Sequence, residues 1–306
     1  MTAVSAGQTY NLNDGREIRL EMYDLGMAPA RRLWQRAPGQ NGRTNLGGLT
    51  EPRFVDLAWR LTGRDLPAFF GLRETIQTIF RLRQNQPVQL IFDFPGGKQR
   101  ALDVYLDGQL LFSERKHITA LASGSFVADD PRLYDPTQRS VTFNLLDTTG
   151  GLPIPFTVPI PIGQDALNTI QAITYAGGSR LAAVEYPVII IGGPLTSPVV
   201  ENLTTGERIA LTANGGLALA AGEFVTVDLS GGSRRDAKTL RNQDGSSVSQ
   251  YLSTDSDLAS FHLAYAGELL ASGDYSDGNN LIRVTGSDAN LLTLVELRYY
   301  DRYEGI

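Results

Sequence analysis

The stretch Val88-Gln89-Leu90-Ile91-Phe92-Asp93-Phe94-Pro95-Gly96-Gly97-Lys98-Gln99-Arg100-Ala101-Leu102-Asp103-Val104-Tyr105-Leu106 holds two alternating runs around a Pro-Gly-Gly-Lys centre. Alternation at a period of two reads as strand, and the turn residues between the runs read as a β-hairpin. The same period appears upstream. In Arg16–Met22, Ile18, Leu20 and Met22 share one face, with Glu17, Arg19 and Glu21 on the other. In Phe54–Leu61, Val55, Leu57, Trp59 and Leu61 point inward, with Asp56 and Arg60 outward. Downstream, Asp107-Gly108 offers a second tight turn.

One segment prefers a period of 3.6. After Asp65, an N-cap residue, and Pro67 in the first turn, Phe69, Leu72, Ile76, Ile79 and Phe80 form a stripe. Arg81 and Arg83 suit a last helical turn, and Pro87 stops any continuation. The expectation is one helix of four or five turns laid on a sheet, with its stripe in the core. From Val184 onward strands and turns take over: Val184–Ile191, Glu223–Leu229, Leu281–Thr285 and Leu291–Tyr300, separated by Gly231-Gly232-Ser233, Asp244-Gly245-Ser246 and Asp277–Asn280. Short strands at this spacing predict a β-sandwich.

Two segments break the pattern. Ala28–Gly48 carries Arg31, Arg32, Trp34, Arg36 and Arg43 with little periodicity, and reads as a long loop, a kind of segment that is usually functional or disordered. Thr148–Gly163 holds Pro153, Pro155, Pro159 and Pro161, which exclude a central strand and predict a domain junction within 135–165.

Composition narrows the chemistry. The 306 residues carry 27 Lys and Arg against 33 Asp and Glu, a formal charge of −6, which argues against nucleic acid as the main partner. Cysteine is absent and histidine numbers two, so disulfides, zinc ribbons, iron–sulfur clusters, a cysteine nucleophile and a His-rich metal centre are excluded. The longest apolar run, Pro187–Ile191, falls far short of the roughly 20 residues that span a bilayer. Met1–Asn13 shows no signal-peptide pattern, and the chain reads as soluble and made in a reducing cytosol. No nucleophile elbow and no phosphate-cradling glycine loop occurs. His117 lies in a charge run and His262 alternates with apolar residues, so both read as structural or exposed histidines rather than bases. Asp255-Ser256-Asp257 and Asp274–Gly278 lack the ladder of a calcium loop. Asp129 and Asp130 are adjacent, so on a strand they point to opposite faces and cannot share a substrate. Catalytic, cofactor and metal sites are all expected to be absent, and the chain is not expected to be an enzyme.

Three stretches, in order, carry a resemblance. They are Phe126-Val127-Ala128-Asp129-Asp130-Pro131-Arg132-Leu133-Tyr134-Asp135; Ile189-Ile190-Ile191-Gly192-Gly193-Pro194 followed by Ser197-Pro198-Val199-Val200-Glu201-Asn202-Leu203-Thr204-Thr205-Gly206; and Gly222-Glu223 before Val225, Val227 and Asp228, then Gly278-Asn279-Asn280 before Ile282 and Val284, with Arg298–Tyr303 as an aromatic and basic closing strand. Together they resemble the distal tail protein (Dit) family of long-tailed, non-contractile bacteriophages. The resemblance implies a mainly β chain: an N-terminal belt domain, 1–138, with a β-sheet and one α-helix, and a C-terminal galectin-like β-sandwich, 139–306. It implies a non-enzymatic virion protein at the tail tip, made in the host bacterial cytoplasm and closed as a homohexameric ring, single or stacked. Its partners would be the tail tube protein, a tail-associated hub or lysin protein and receptor-binding proteins, with DNA only in passage through the lumen and no membrane. Under that reading Arg31, Arg32, Trp34 and Arg36 are subunit-interface candidates, since Trp and Arg are typical anchors. The alternative is a carbohydrate-binding or adhesin module. Such a site wants an exposed aromatic, but Trp59 reads as core and Trp34 lies outside the sandwich.

Overall fold

The computed structural model describes residues 1–25, 29–38, 41–81, 86–145, 169–175, 184–230, 238–290 and 292–303. The chain divides into two compact units, one centred on Met1–Pro136 and the other on Thr137–Gly231 with Asp236–Arg302. The Pro-rich segment 148–163, the Gly231-Gly232-Ser233 turn and Arg83 lie outside the described residues.

The first unit contains β1 (Thr2–Ser5), β2 (Gln8–Asn11), β3 (Ile18–Asp24), β4 (Ala30–Gln35), β5 (Thr44–Thr50), β6 (Arg53–Thr62), α1 (Leu66–Ile79), β7 (Val88–Phe94), β8 (Lys98–Lys116), β9 (Thr119–Ala128) and the short β10 (Leu133–Tyr134). Its main sheet is antiparallel throughout, in the order β2-β1-β7-β8-β9-β6-β3. The β7–β8 hairpin turns at Gly96 and Gly97, both at positive φ, where only a residue without Cβ sits without strain.

Helix α1 starts where its cap directs it: the Asp65 carboxylate accepts the Ala68 amide at 2.8 Å. Its buried Phe69, Ile76 and Ile79 lie on one face of the sheet, against Val55, Leu57, Trp59 and Leu61. Trp59 is fully buried, its ring stacked 5.3 Å from Phe80, and Phe126 closes the cluster 4.6 Å from Phe80. Truncating such an aromatic leaves a cavity worth about 3–5 kcal/mol.

Four local expectations are corrected. The helix ends at Ile79 with no basic residue in its last turn, so Arg81 lies beyond it. Asp107-Gly108 is not a turn: β8 runs straight through to Lys116, and its register against β9 shifts between Asp107 and Leu111. A bulge uses the same permissive glycine as a turn, here Gly108 at φ 93°. Met22 does not share the buried face of Ile18. A second bulge, between Leu20 and Met22, turns Met22 outward to 50% exposure. Ala28–Gly48 is not an irregular loop, since β4 and β5 pair within it as a two-stranded ribbon.

The second unit is a β-sandwich. Its strands are β11 (Arg139–Asn144), β12 (Thr169–Thr174), β13 (Val188–Gly192), β14 (Leu195–Asn202), β15 (Glu207–Ala210), β16 (Ala218–Leu219), β17 (Phe224–Asp228), β18 (Thr239–Asn242), β19 (Asn279–Ser287) and β20 (Leu294–Tyr299). One sheet runs β11-β20-β13-β17-β18; the other runs β12-β19-β14-β15, with β16 also on β14. Ile189, Ile191, Val225, Val227, Val295 and Leu297 of the first meet Ile173, Val200, Ile209, Ile282 and Val284 of the second in one core. The β13 strand begins only after Pro187, later than the apolar run suggests, while Glu185 makes an isolated bridge to Leu263. Gly193 follows β13 at a point where a Cβ would run into the Ala220 carbonyl oxygen and stand 2.8 Å from Leu219 Cβ, so the second glycine of Gly192-Gly193-Pro194 is a packing requirement.

Candidate interaction surfaces

Chain direction places the ribbon. Strands β3 and β6 pair antiparallel, with Asp24 opposite Asp56, and the chain between them leaves and returns as β4 and β5. At its base Leu25 and Arg53 are buried, Arg53 Nη1 donates to the Leu25 carbonyl at 3.1 Å, and the Glu51 amide donates to the Pro29 carbonyl at 2.8 Å. Burial presses the Arg53 pKa down while the Asp130 carboxylate opposes it. Asp130 also takes the Arg132 guanidinium at 2.8 Å, so the Asp-Asp-Pro turn is tied to the ribbon's base.

Beyond the base every described side chain of the ribbon is exposed, Trp34 at 53% and Leu46 at 58%. Arg31 pairs with Glu51 at 2.9 Å, and Arg43 stacks 4.6 Å above the Trp34 ring. Residues 28–50 carry four arginines and no carboxylate. All four interface candidates, Arg31, Arg32, Trp34 and Arg36, stand on β4 or just past its end. A two-stranded ribbon with no core of its own is marginal in water, so this one presents apolar and cationic surface that a partner would stabilise.

The second surface is invisible in the sequence. Helix α1 covers one face of the main sheet; on the opposite face the registers of β3, β6, β9 and β8 align three rows. Met22, Ala58, Ser123 and Leu111 form one; Asp24, Asp56, Ser125 and Asp107 the next; Phe54, Val127 and Tyr105 the third. Asp24, Asp56 and Asp107 are all exposed. Ser125 Oγ donates to Asp56 at 2.5 Å. Carboxylates directly opposite one another on neighbouring strands repel. The result is an acidic stripe edged by apolar side chains, Phe54 being 59% exposed. The pattern that could have pointed to it is the outward placement of Asp56 in the β6 alternation; its neighbours come from strands far away in sequence.

In the sandwich, the sequence motifs meet. Asn202 Nδ2 donates to Asn280 Oδ1 at 2.9 Å and to the His262 carbonyl at 2.8 Å, with both asparagines fully buried. Asn280 in turn serves the backbone of Ala264 and Gly278, while Thr204 Oγ1 donates to the Asn279 carbonyl and accepts from the Leu281 amide. The Asn-x-Thr stretch and the Gly-Asn-Asn stretch are therefore two halves of one polar clasp inside the core, where unsatisfied groups would be costly. A second buried network joins Glu185 to the Arg302 guanidinium, and the Tyr175 hydroxyl accepts the Arg302 amide at 3.0 Å.

The two histidines differ in surroundings. His117 sits exposed at φ 42° in the β8–β9 turn. His262 lies between carboxylates, Nε2 2.7 Å from Glu268 and Nδ1 3.0 Å from Glu207. Burial acts to lower its pKa, but the bonds to Glu207 and Glu268 prevail and hold it up at about 10. Such an imidazolium has no free base to offer at neutral pH. Among the described residues no group of three or more His, Asp or Glu is arranged to hold a metal, and no helix is long and apolar enough to cross a membrane.

A sheet backed by one helix, carrying a projecting ribbon and followed in the same chain by a β-sandwich, defines a two-unit antiparallel fold, and solved structures are similar to it over nearly its whole length. The Dit protein of phage SPP1, described as a paradigm of the hub adsorption apparatus in phages that infect Gram-positive bacteria, superposes with a TM-score of 0.57 at 10% identity, covering 99% of this chain and 98% of that one. Chains of the phage p2 baseplate in its activated conformation match as well: 0.53 at 10% identity with calcium, and 0.52 at 12% with strontium, each covering 100% of this chain and at least 98% of the other. At these identities the likeness is one of fold. No protein-family model matches the chain, and no curated protein matches it by sequence.

Proposed function

We propose that this chain is a structural hub subunit at the distal end of a bacteriophage tail. The observation that carries the reading is the likeness of fold to the SPP1 Dit protein over nearly the whole length of both chains. Six copies close as a ring, the first unit surrounding a channel continuous with the tail tube and the sandwich docking tail-tip, hub or receptor-binding proteins. The role is mechanical rather than catalytic, and the protein resides in the virion tail.

Two features support the ring. The ribbon offers Arg31, Arg32, Trp34 and Arg36 to a neighbouring copy, a combination of aromatic and guanidinium anchors suited to an interface. An arm on one copy that grips a different patch on the next is a heterologous contact, which propagates into a ring when the rotation closes. The acidic row Asp24, Asp56 and Asp107 supports the channel, because fixed negative charge repels phosphate and lets DNA pass without adhering.

Light scattering over a concentration series, with negative-stain images of the same sample, tests the proposal. The expected species has a mass of about 200 kDa, six subunits of 33.3 kDa, and a central hole. A strict monomer at every concentration, persisting after addition of tail tube protein, would overturn it.

A further inference from the structure

The chain contains two Asn-Gly pairs, Asn41-Gly42 and Asn214-Gly215, in opposite surroundings. Asn41 is exposed in the connection between β4 and β5, and among the described residues its side-chain amide has no hydrogen-bond partner. Gly42 has φ 87° and nothing within 4 Å of where a Cβ would stand, and Gly215 is alike at φ 90°, so the two pairs differ at the asparagine and not at the glycine. Arg43 follows directly and Arg36 flanks the other side of the connection. Asn214, by contrast, is locked. Its Nδ2 donates to the Gln250 carbonyl at 2.7 Å, and it sits in the 3-10 turn Ala213–Gly215, closed by the bond from the Gly216 amide to the Ala213 carbonyl at 2.9 Å.

We propose that Asn41 is a site of spontaneous deamidation in the free chain and that Asn214 is protected from it. The Gly42 amide gives its proton to hydroxide, and its nitrogen attacks Cγ of Asn41. The new N–C bond forms as the Cγ–NH₂ bond breaks, and the leaving nitrogen takes a proton from water and departs as ammonia. Water then opens the five-membered imide. Attack at the side-chain carbonyl gives aspartate at position 41; attack at the main-chain carbonyl gives isoaspartate, with the backbone rerouted through the β-carbon. Water enters, ammonia leaves, and no oxidant or metal takes part.

Either product places a negative charge between Arg36 and Arg43, offsetting one of the four positive charges of residues 28–50, and the second product also lengthens the main chain at the connection. The site is therefore an ageing switch on the ribbon. Its effect on assembly rests on the ring reading above; the chemistry does not.

The test uses the full chain at dilutions where it is monomeric, incubated at neutral and mildly alkaline pH and followed by peptide mapping for the one-dalton gain and by isoaspartate-specific methylation. Position 41 is expected to convert at least about tenfold faster than position 214, a difference of about 1.4 kcal/mol in barrier. The rate should rise with pH, and Asn41→Gln should abolish the signal without changing the circular dichroism. Unfolded in urea, both sites should convert at matching rates. Equal rates at 41 and 214 in the folded chain, or an intact Asn41 while the urea control converts, would overturn the proposal. Because every readout is taken on the monomer, its failure is separate from any failure to form a ring.

Discussion

Two carboxylates reach the His262 ring from opposite sides, and the backbone amide of His262 also donates to Glu207 at 3.0 Å. Around this clamp stand the Ser260 carbonyl, the Tyr186 ring and Lys238, whose pKa burial presses down and the Glu207 charge partly restores. With the histidine pKa raised from 6.5 to about 10, the stability drawn from its charge is fully present below pH 6.5 and is lost as pH climbs through about 10. Glu207 runs the other way. Burial would raise its pKa, but the bonds from His262 and Thr205 bring it below 4.5, so its contribution is lost only in acid. Urea denaturation of the parent and of His262→Gln should therefore diverge most near pH 6 and converge above pH 10; a difference independent of pH would refute the charged clamp. The sequence reading of His262 as a structural residue holds, yet its partner Glu207 lies 55 residues away and no spacing rule reaches that far.

Among the elements, the ribbon shows where pattern reading stops. Period-two alternation exists only when one face of a strand is buried and the other is wet. Every described side chain of β4 and β5, on either face, meets solvent, so nothing there selects apolar residues at alternate positions, and the segment reads as loop. Bulges hide in the same way: one extra residue at Leu20/Met22 reverses the face of everything beyond it, and a local sequence window cannot register the slip. Helix α1 was legible because its signals are all local: the Asp65 cap, the proline of its first turn and a stripe that one helix carries by itself. Since the ribbon contributes no described residue to the core, replacing it by a short Gly-containing turn from Leu25 to Glu51 should leave the thermal midpoint of the chain within a few degrees. The same deletion should abolish the ring, read as a loss of the heavy species in light scattering. Unfolding of the deletion variant would instead make the ribbon part of the fold.

For the molecule as a whole, the charge balance of −6 conceals an uneven distribution, with residues 28–50 basic and the row Asp24, Asp56 and Asp107 on the sheet face opposite α1 acidic. If that face guards a DNA path, reversing Asp24→Lys, Asp56→Lys and Asp107→Lys together should turn a protein that does not retard duplex DNA into one that does. Its affinity should fall with salt at a log–log slope of about −2 to −3, one counterion for each added lysine. Unchanged behaviour would separate the stripe from DNA passage.

Residues near one another in the chain settled the mainly β character, the hairpin at Pro95–Lys98, the capped helix and the turn at Asp244, because alternation, capping and turn chemistry act over a few residues; Asn279 and Asn280, which read as turn, instead open β19. The acidic row, the Asn202–Asn280 clasp, the His262 clamp and the ribbon's isolation came only with the folded chain. Each depends on which strands become neighbours and in what register, and that is decided by the burial of whole faces and the closure of long loops, energies that no local window of sequence contains.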